Sequence, residues 1–328
     1  MERLAARFQY AIVYLLFVLA GINYYLGGLK DPIQEFTGKL AEDICSNDFV
    51  FTSSRVIVIA DVHADIDNLI KALRMADLIG EYSTNWIGGN SVLVQTGDIM
   101  DRGPDSLGVF HLFKLLSEQA RDAGGCVLQL LGNHELMNLV GDFRYAEDLE
   151  TAAFGGLEKR RDSVGPSAPL GKHLRSLPIV ASVTQRLSSG TNFTTVFAHA
   201  GVDPRLAARM SIAQMNSLVR NAFHGASESE IRHLYGTWPI LLDKGPLWTR
   251  VYAYPDNHMV CSMLNAALNA LNGDRMIIGH TIQIAGKPTI RCHGRLVLAD
   301  TGMSSSYQGG ISLVQLEPIA ECPITLFS

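Results

Sequence analysis

Carboxylate, amide and imidazole side chains directly follow several apolar runs of this sequence. They are Asp61, His63, Asp98, Asn133, His134, His199 and His280. Oxygen and imidazole donors without a thiolate suit manganese, iron or zinc, and the lack of a cysteine among these candidate ligands argues against a structural zinc site. A single histidine after an apolar run is more often a core residue than a ligand. So many such residues, each at the end of a run, predict a metal centre that holds manganese, iron or zinc.

Strands and helices must alternate if these residues are to meet. Apolar runs that predict buried strands lie at 55–61, 91–98 and 126–133. Between them, apolar residues recur at helical spacing, as at Leu69 and Leu73 and later at Leu112 and Leu116. Later runs end near His199, His280 and Asp300, and residues 151–189 predict irregular structure or a small helical insert. The pattern is typical of a layered α/β fold, whose active sites gather beyond the carboxyl ends of the strands.

Five of the seven polar residues belong to three sequence blocks, which His199 and Gly279-His280 follow in a fixed order. The blocks are Asp61-Val62-His63, the Gly97–Gly103 block G-D-I-M-D-R-G, and the Gly132–Glu135 block G-N-H-E. They resemble the metallophosphoesterase signature of phosphoprotein phosphatases. The C-terminal Leu298–Ser304 segment, with Tyr307, resembles the Shewanella-like protein phosphatases, and the S-A-P-N-Y-C loop of the better-known Ser/Thr enzymes is absent. The resemblance implies an α/β metallophosphoesterase fold, with a central β-sandwich of mixed sheets flanked by helices.

The same resemblance implies a ligand set for two metal ions. Asp61 and His63 would hold the first ion, and Asp98 would bridge the pair. The second ion would be held by Asn133, His199 and His280. Two cations about 4 Å apart increase the acidity of a water between them and clamp the phosphoryl oxygens during in-line displacement.

The remaining catalytic positions follow from the same motifs. His134 would donate a proton to the leaving alkoxide, and Asp101 would orient its imidazolium. Arg102 would bind phosphate oxygens, together with Asn133 and with Arg250 of the block G-P-L-W-T-R. A surface arginine beside a buried tryptophan is the alternative interpretation of Arg250. One departure from the family is Ala64, which stands where glycine is usual after the histidine.

The function implied by the resemblance is a dimetal-dependent phosphoprotein phosphatase that hydrolyses phosphomonoesters by attack of a metal-activated water. Specificity for Ser/Thr or for Tyr is left open. An alternative is a dinucleoside polyphosphate or cap-type nucleotide hydrolase, because a related branch shares the metal motifs. A membrane-associated pseudo-phosphatase scaffold is a third hypothesis, but it should lack a ligand or the acid, and none is missing. No protein partner beyond a phosphoprotein or phosphopeptide substrate is predicted.

Composition excludes some classes of function. A formal net charge of −5 and a pI near 6.0 argue against a general nucleic-acid binder, which needs a concentrated positive surface. The cysteines are Cys45, Cys126, Cys261, Cys292 and Cys322, and they are widely spaced with no C-x-x-C pair. Buried or isolated thiols are therefore favoured over a zinc knuckle or a disulfide framework, although one or two bridges stay open.

The N-terminal residues 1–30 contain an uncharged apolar run from 10 to 29 that could cross a bilayer as one helix. Arg3 and Arg7 precede it, which fits a transmembrane signal anchor or a cleaved signal peptide. A buried helix is the alternative, and a mitochondrial presequence fits less well because the run is apolar all round. The segment predicts a protein anchored in a membrane or located in the secretory-pathway lumen.

The rest of the chain divides into a linker and a single catalytic domain. Residues 31–46 are predicted to form the linker, and residues 47–328 the metallophosphoesterase domain. With 47% hydrophobic residues, the chain has enough apolar side chains to form the core of a domain of this length.

Overall fold

Strands and helices alternate from residue 56 onward in the predicted β-α-β-α-β order. The structure, a computed structural model, describes residues 44–46, 48–253 and 257–327. The strands are β1 Ile44–Cys45, β2 Phe49–Thr52, β3 Val56–Ile59, β4 Val92–Gln95, β5 Cys126–Gln129, β6 Val180–Arg186, β7 Asn192–Ala198, β8 Arg275–Ile278, β9 Thr289–Arg291, β10 Leu296–Leu298, β11 Leu313–Leu316 and β12 Ile324–Phe327.

Helices lie between and after these strands. The α-helices are α1 Ile66–Met75, α2 Ser106–Asp122, α3 Asn133–Leu139, α4 Asp148–Ala153, α5 Leu157–Ser163, α6 Pro169–Ser176, α7 Pro204–Ala207, α8 Ile212–Phe223, α9 Glu228–Thr237 and α10 Asn257–Leu271. Short 3₁₀ helices are found at Pro239–Leu241 and Cys292–Gly294. Several helices begin at side-chain caps, as α1 does at Asp65, whose carboxylate accepts the Asn68 N–H at 2.9 Å.

The strands build two mixed sheets. The seven-stranded sheet has the order β1-β2-β6-β7-β8-β10-β9, and the five-stranded sheet has the order β12-β11-β3-β4-β5. Strands β3, β4 and β5 run parallel, and so do β7, β8 and β10. Parallel neighbours place their carboxyl ends at one edge of a sheet, so the residues that follow these strands are brought together.

The two sheets pack face to face and are covered by helices on their outer faces. In β3, Val58 belongs to a buried cluster that also holds Phe197 and Ile277 of the other sheet. Its neighbour Ile57 belongs to a second buried cluster, with Leu69 of α1. Because alternate strand residues face opposite sides, both faces of β3 are buried and the strand is apolar throughout. This arrangement confirms the predicted β-sandwich of mixed sheets flanked by helices.

The region predicted as irregular or a small helical insert contains both helices and a strand. Helices α4, α5 and α6 form most of it, in agreement with the helical alternative. Strand β6, however, is an interior strand of the seven-stranded sheet, between β2 and β7, and was not predicted. Its sequence, VASVTQR, mixes small and polar residues. Gln185 is tolerated in the interior because its side-chain amide donates to the backbone carbonyls of Ser54 and Leu316.

The prediction of isolated thiols is wrong for three cysteines. Cys261 on α10 and Cys292 form a disulfide with their Cα atoms 5.4 Å apart, and Cys126 is also disulfide-bonded. The first pair is separated by 31 residues, and the fold, not the sequence spacing, brings them together. Cys322 is a free, buried thiol, as predicted for this class of residue.

The predicted signal anchor or signal peptide at residues 1–30 lies outside the described residues, as does most of the 31–46 linker. Across the parts of the chain that the structure describes, no helix is long and apolar enough to span a membrane. This finding contradicts the predicted location in a membrane or the secretory-pathway lumen, and we do not propose membrane association for the protein.

Candidate dimetal active site

Asp98 lies at the centre of a buried cluster of imidazoles beyond the strand ends. It follows β4 and is 2% exposed. Its Oδ2 atom lies 3.4 Å from His199 Nε2 and 3.7 Å from His63 Nε2. The cluster contains two groups of potential ligand atoms within 4.8 Å of one another: His63, Asp98 and His134, and Asp98, His199 and His280. Because Asp98 belongs to both groups, the donor set fits two adjacent ions that share one carboxylate.

The seven-stranded sheet supplies two of the histidines, His199 after β7 and His280 after β8. The Nδ1 atom of His199 lies 3.0 Å from the Thr96 carbonyl oxygen, which turns Nε2 towards Asn133 Oδ1 at 2.8 Å. The Nε2 atom of His280 is buried and has no hydrogen-bond partner among the described residues. A buried imidazole nitrogen without a partner is unfavourable, and a metal ion would satisfy it.

Negative charge accumulates next to the imidazoles. Burial, with Asp300 and Asp98 close by, raises the pKa of Asp61 well above its usual range. Burial also raises the pKa of Asp300 to about 6. Burial would raise the pKa of Asp98 as well, but His199 and His134 outweigh it and hold that pKa well below its usual range. Such closely placed buried carboxylates need compensating positive charge, and this need also fits bound cations.

The histidines of the cluster differ in the direction of their pKa shifts. Burial lowers the pKa of His63 to about 4 and that of His280 to about 3. Neutral imidazoles are the form that binds metals. Burial opposes charge on His134 and His199 too, but Asp98 raises the pKa of both imidazoles. The hydrogen bond that His134 donates to Asp101 raises the His134 pKa further. His63 and His280 are therefore held neutral, whereas Asp98 favours a proton on both His134 and His199. His134 differs from His199 in its hydrogen bond to the Asp101 carboxylate.

The turns that carry these residues have left-handed backbone. The non-glycine residues with φ between 46° and 70° include His63, Ala64, Asp98, Asp101, Arg102 and His280. Hydrogen bonds hold the turns, for example from the N–H groups of His63 and Ala64 to the carbonyls of Asp98 and Ile99, both at 2.9 Å. The blocks approach so closely that a Cβ at Gly103 would lie 2.3 Å from the His63 carbonyl oxygen. Strained conformations of this kind cluster at functional sites.

Glu135 joins the second and third sequence blocks. It is fully buried, and its carboxylate accepts the N–H groups of Asp98, Ile99, Met100 and Gly132 at 2.8 to 3.1 Å. Four backbone donors fix this side chain, which in turn fixes the loop that carries Asp98. Burial, with Asp98 nearby, raises the pKa of Glu135 to about 7. The final residue of G-N-H-E thus has a structural task that the sequence did not reveal.

His134 and Asp101 form a hydrogen-bonded pair at the edge of the cluster. The His134 Nδ1 atom lies 2.7 Å from Asp101 Oδ2, and Asp101 is fully buried. The backbone N–H of His134 also donates to Asp98 Oδ1 at 2.9 Å. The pair leaves His134 Nε2 facing the cluster, 4.0 Å from Asp98 Oδ2.

Arg102 projects into the site between two tyrosines. Its guanidinium carbon lies 3.8 Å from the centre of the Tyr145 ring and 5.7 Å from that of Tyr307. Tyr307 also packs against His63, and Tyr145 against His134. The two rings therefore form aromatic walls beside both imidazoles.

Arg250 is exposed and lies at the other side of the site. Its Nη1 atom donates to the His280 carbonyl at 3.2 Å and to Thr281 Oγ1 at 2.9 Å. Trp248, two residues before Arg250, meets the His280 ring edge-on with centroids 6.2 Å apart. Arg250 is therefore a surface residue that is hydrogen-bonded to the turn carrying His280.

The model of the calcineurin-like phosphoesterase family matches residues 54–283, which contain all of these residues except Asp300 and Tyr307. This chain belongs to the calcineurin-like phosphoesterase family. It is 35% identical to an uncharacterised protein of Schizosaccharomyces pombe, over 80% of this chain and 76% of the relative. It is 30% identical to Shewanella-like protein phosphatase 1 of Plasmodium berghei, over 77% and 68% respectively.

Among solved structures, it resembles a cold-active protein-tyrosine phosphatase of a psychrophilic Shewanella species. The TM-score is 0.70 at 25% identity, and the match covers 87% of this chain and 83% of that one. These relatives confirm the predicted resemblance, and the protein is a metallophosphoesterase phosphatase, a hydrolase of phosphoric esters. A symmetrical bis(5'-nucleosyl)-tetraphosphatase of Edwardsiella ictaluri matches only 45% of the chain, so the nucleotide-hydrolase alternative has weaker support.

All the predicted site residues lie in or beside this one cluster. Sequence reasoning missed Glu135, Asn138, Tyr145, Glu150, Arg160 and, as site residues, Asp300 and Tyr307. For Asp300 a signal was present, because it follows a strand-like run in the same way as Asp61. Glu135 and Tyr307 belong to segments that carry the family resemblance, but the resemblance gave them no role. For Asn138, Tyr145, Glu150 and Arg160, the sequence contains no local pattern that distinguishes them from surface or core residues.

Proposed function

We propose that this site hydrolyses phosphate monoesters on two metal ions that share Asp98. The single observation that carries the proposal is that the two groups of ligand atoms have Asp98 in common. Asp61 and His63 complete the first set, and Asn133, His199 and His280 complete the second. We assign Asp61 to the first set because the family resemblance gives it that role and its Oδ2 atom lies 4.0 Å from His63 Nε2. His134 is assigned as the proton donor for the same reason of family resemblance.

The donor set favours manganese, iron or zinc, since it combines imidazole nitrogens with carboxylate and amide oxygens. When bound, such a pair supplies an acidified water nucleophile and neutralises charge on the phosphoryl oxygens. Burial of the ligands supports this assignment, because Asp61, Asp98 and His199 are each at most 2% exposed. We place the catalytic domain at residues 47–328, which agrees with the compact unit Asp43–Ser328.

Arg102 and Arg250 bind the substrate phosphate from opposite sides of the cluster. Arg102 presents a planar fork that is able to contact two oxygens at once. Its packing on Tyr145 limits its motion, so less conformational entropy is lost on binding. The Asn133 amide adds a third polar contact.

His134 is the proton donor for the leaving group. As the bond between phosphorus and the ester oxygen breaks, the electron pair stays on that oxygen and receives the proton from His134 Nε2. Asp101 accepts the hydrogen bond from Nδ1 at 2.7 Å, so it fixes the ring and stabilises its charged form.

The aromatic walls favour aryl phosphates, and we propose phosphotyrosine in proteins or peptides as the substrate class. Tyr145 and Tyr307 flank the Arg102 guanidinium, where a phenyl ring attached to the bound phosphate would pack. The name of the similar Shewanella structure, a protein-tyrosine phosphatase, supports the same choice.

A direct assay tests this function. The full-length protein is stripped of metal, reloaded with manganese, iron or zinc, and assayed on phosphotyrosine peptide, phosphothreonine peptide and diadenosine tetraphosphate. We expect metal-dependent release of phosphate, with the highest kcat/KM on the phosphotyrosine peptide and none from Asp98→Asn. Turnover of the tetraphosphate alone would replace the proposal with a nucleotide hydrolase.

The tyrosine walls have their own test. Tyr145→Ala and Tyr307→Ala should lower kcat/KM for phosphotyrosine more than for phosphothreonine peptide. Tyr82→Ala is the matched control, because Tyr82 is 90% exposed. An equal decrease on both peptides would show that the walls do not select the substrate.

A further inference from the structure

Arg160 lies behind the proton-donating pair, and no role in the proposed function uses it. It belongs to α5 in the helical insert and is 0% exposed. Its Nη2 atom lies 2.5 Å from Asp101 Oδ1, and its Nη1 atom lies 2.8 Å from Glu150 Oε2. A fully buried arginine between two buried carboxylates is rare, because each charge loses its hydration.

The contacts of Arg160 complete the hydrogen bonding of Asp101. One carboxylate oxygen accepts from His134 at 2.7 Å, and the other accepts from Arg160. Asn138 donates to both oxygens, at 3.0 and 3.1 Å. Asp101 is thus surrounded by donors on every side and cannot rotate without losing a charge-assisted hydrogen bond.

Arg160 also sets the orientation of Asn138. Its Nε atom donates to Asn138 Oδ1 at 3.0 Å, so the amide group of Asn138 must point its NH₂ at Asp101. The same NH₂ donates to the His134 carbonyl at 2.9 Å. One guanidinium therefore acts on the acid pair by two routes, directly through Asp101 and indirectly through Asn138.

Neighbouring groups hold the guanidinium in place. The Phe154 ring centre lies 4.9 Å from its carbon, and that of Phe143 lies 5.7 Å away. Ser106 donates to Glu150 from the opposite side. A buried ion pair contributes little net stability compared with an apolar replacement, so this arrangement is poorly explained as a stabilising device alone.

We propose that Arg160 is a positioning residue for the proton donor, holding Asp101 so that His134 Nε2 stays aimed at the leaving oxygen. The inference rests on the proposed function of His134. It assigns the helical insert a task in catalysis: α4 and α5 supply Glu150 and Arg160 to the back of the active site.

The dependence of rate on the leaving group distinguishes this role from a structural one. A phenolate leaving group needs a proton, whereas a dinitrophenolate departs as a stable anion and gains little from general-acid catalysis. Phosphotyrosine peptide and dinitrophenyl phosphate are therefore compared with metal-loaded Arg160→Gln, Arg160→Lys and wild-type protein. We expect Arg160→Gln to lower kcat at least about tenfold on phosphotyrosine and less than about threefold on the dinitrophenyl ester, since general acids contribute roughly 10²–10⁴-fold.

Arg160→Lys keeps the charge and one hydrogen bond, so it should restore part of the lost kcat. It also carries the test if Arg160→Gln does not fold. In a His134→Gln background, Arg160→Lys should no longer change the ratio of the two rates, because the donor that Arg160 positions is gone.

Arg161→Gln is the matched control, because Arg161 is the next residue, is partly exposed and pairs with Glu158 and Glu228. It should leave the ratio unchanged, and the metal content of all variants is measured alongside. Equal loss on both esters by the Arg160 variants would overturn the inference alone. Absence of turnover by the wild-type protein would instead overturn the proposed function.

Discussion

At the scale of single residues, the backbone of the metal-binding turns decides which side chains are tolerated. Ala64 has φ of 55°, in the left-handed region that costs an alanine about 1–2 kcal/mol. The family's usual glycine has no such cost. The alanine methyl is fully buried, however, and burying one methyl group stabilises by about 0.8 kcal/mol. The two effects are of similar size, which explains how the departure from glycine is accommodated.

Ala64→Gly should therefore change the free energy of unfolding by less than about 1 kcal/mol, because relief of strain offsets the lost methyl and the entropy of glycine. Ala72→Gly is the matched control. Ala72 is equally buried but lies inside α1, where glycine also costs helix propensity, so a loss of about 2 kcal/mol is expected. Chemical denaturation of both variants measures the difference. Similar losses at the two positions would show that Ala64 is not strained.

Asp300 shows the effect of uncompensated charge. Burial raises its folded-state pKa to about 6, whereas an unfolded aspartate titrates near 3.9. The folded state therefore binds more protons between about pH 4 and 6, and this carboxylate makes the metal-free protein less stable as pH rises through that window. Above about pH 6 the full cost is present.

Asp300→Asn should thus stabilise the metal-free protein at pH 7, by roughly 1–3 kcal/mol, and have little effect near pH 4. The amide oxygen of asparagine is able to keep the hydrogen bond from the Gly302 N–H, which Asp300 Oδ1 accepts at 2.9 Å. Thermal unfolding at both pH values in the presence of a chelator measures this. A stabilisation that does not change with pH would contradict the electrostatic explanation.

At the scale of elements, the disulfide tethers α10 to the chain that follows β9. Replacing both Cys261 and Cys292 with serine removes a link across 31 residues. The loop-entropy relation gives a cost of about 3–4 kcal/mol for a loop of this length. Neither cysteine contacts the metal cluster, so kcat should be unchanged. Ser262→Ala, an exposed position of the same helix, is the control and should shift stability by less than about 0.5 kcal/mol.

The elements also show how far the sequence predicted the structure. Apolar runs identified β3, β4, β5, β7 and β8, because strands buried on both faces are apolar throughout. The polar residues that follow these strands located the metal cluster, because parallel strands bring their carboxyl ends to one edge of a sheet. Strand β6 was missed because Gln185 and Thr184 interrupt its apolar pattern. The partners of the Gln185 side chain include the Ser54 carbonyl and the Cys322 thiol, which are 131 and 137 residues away in sequence.

Arg160 could not be predicted, because its environment is made by long-range contacts. It is 59 residues from Asp101, and the next residue, Arg161, has the same type but is partly exposed. Sequence alone does not say which of two adjacent arginines faces the interior. The pairing of Tyr145 with Tyr307 could not be predicted either, because the two rings are distant in sequence and come together around Arg102 in the fold.

At the scale of the whole molecule, the metal cluster joins the two sheets. Asp61 and Asp98 follow strands of the five-stranded sheet, whereas His199 and His280 follow strands of the other. The His280 N–H already donates to both oxygens of Asp61 at 3.1 Å, so a direct contact crosses the sandwich at this edge. Bound ions would add bonds between the sheets and neutralise the carboxylates that repel one another.

Metal removal should therefore weaken the whole sandwich as well as abolish activity. At a free metal concentration of 100 Kd, each site stabilises the folded state by about 2.7 kcal/mol, so a chelator should lower the thermal midpoint and added manganese, iron or zinc should restore it. Hydrogen exchange should rise first at the carboxyl ends of β7 and β8, where His199 and His280 would hold the ions between the two sheets. Asp98→Asn removes the shared ligand, and its midpoint should respond little to chelator. A chelator shift as large in Asp98→Asn as in the wild-type protein would mean that the stabilising metal lies elsewhere.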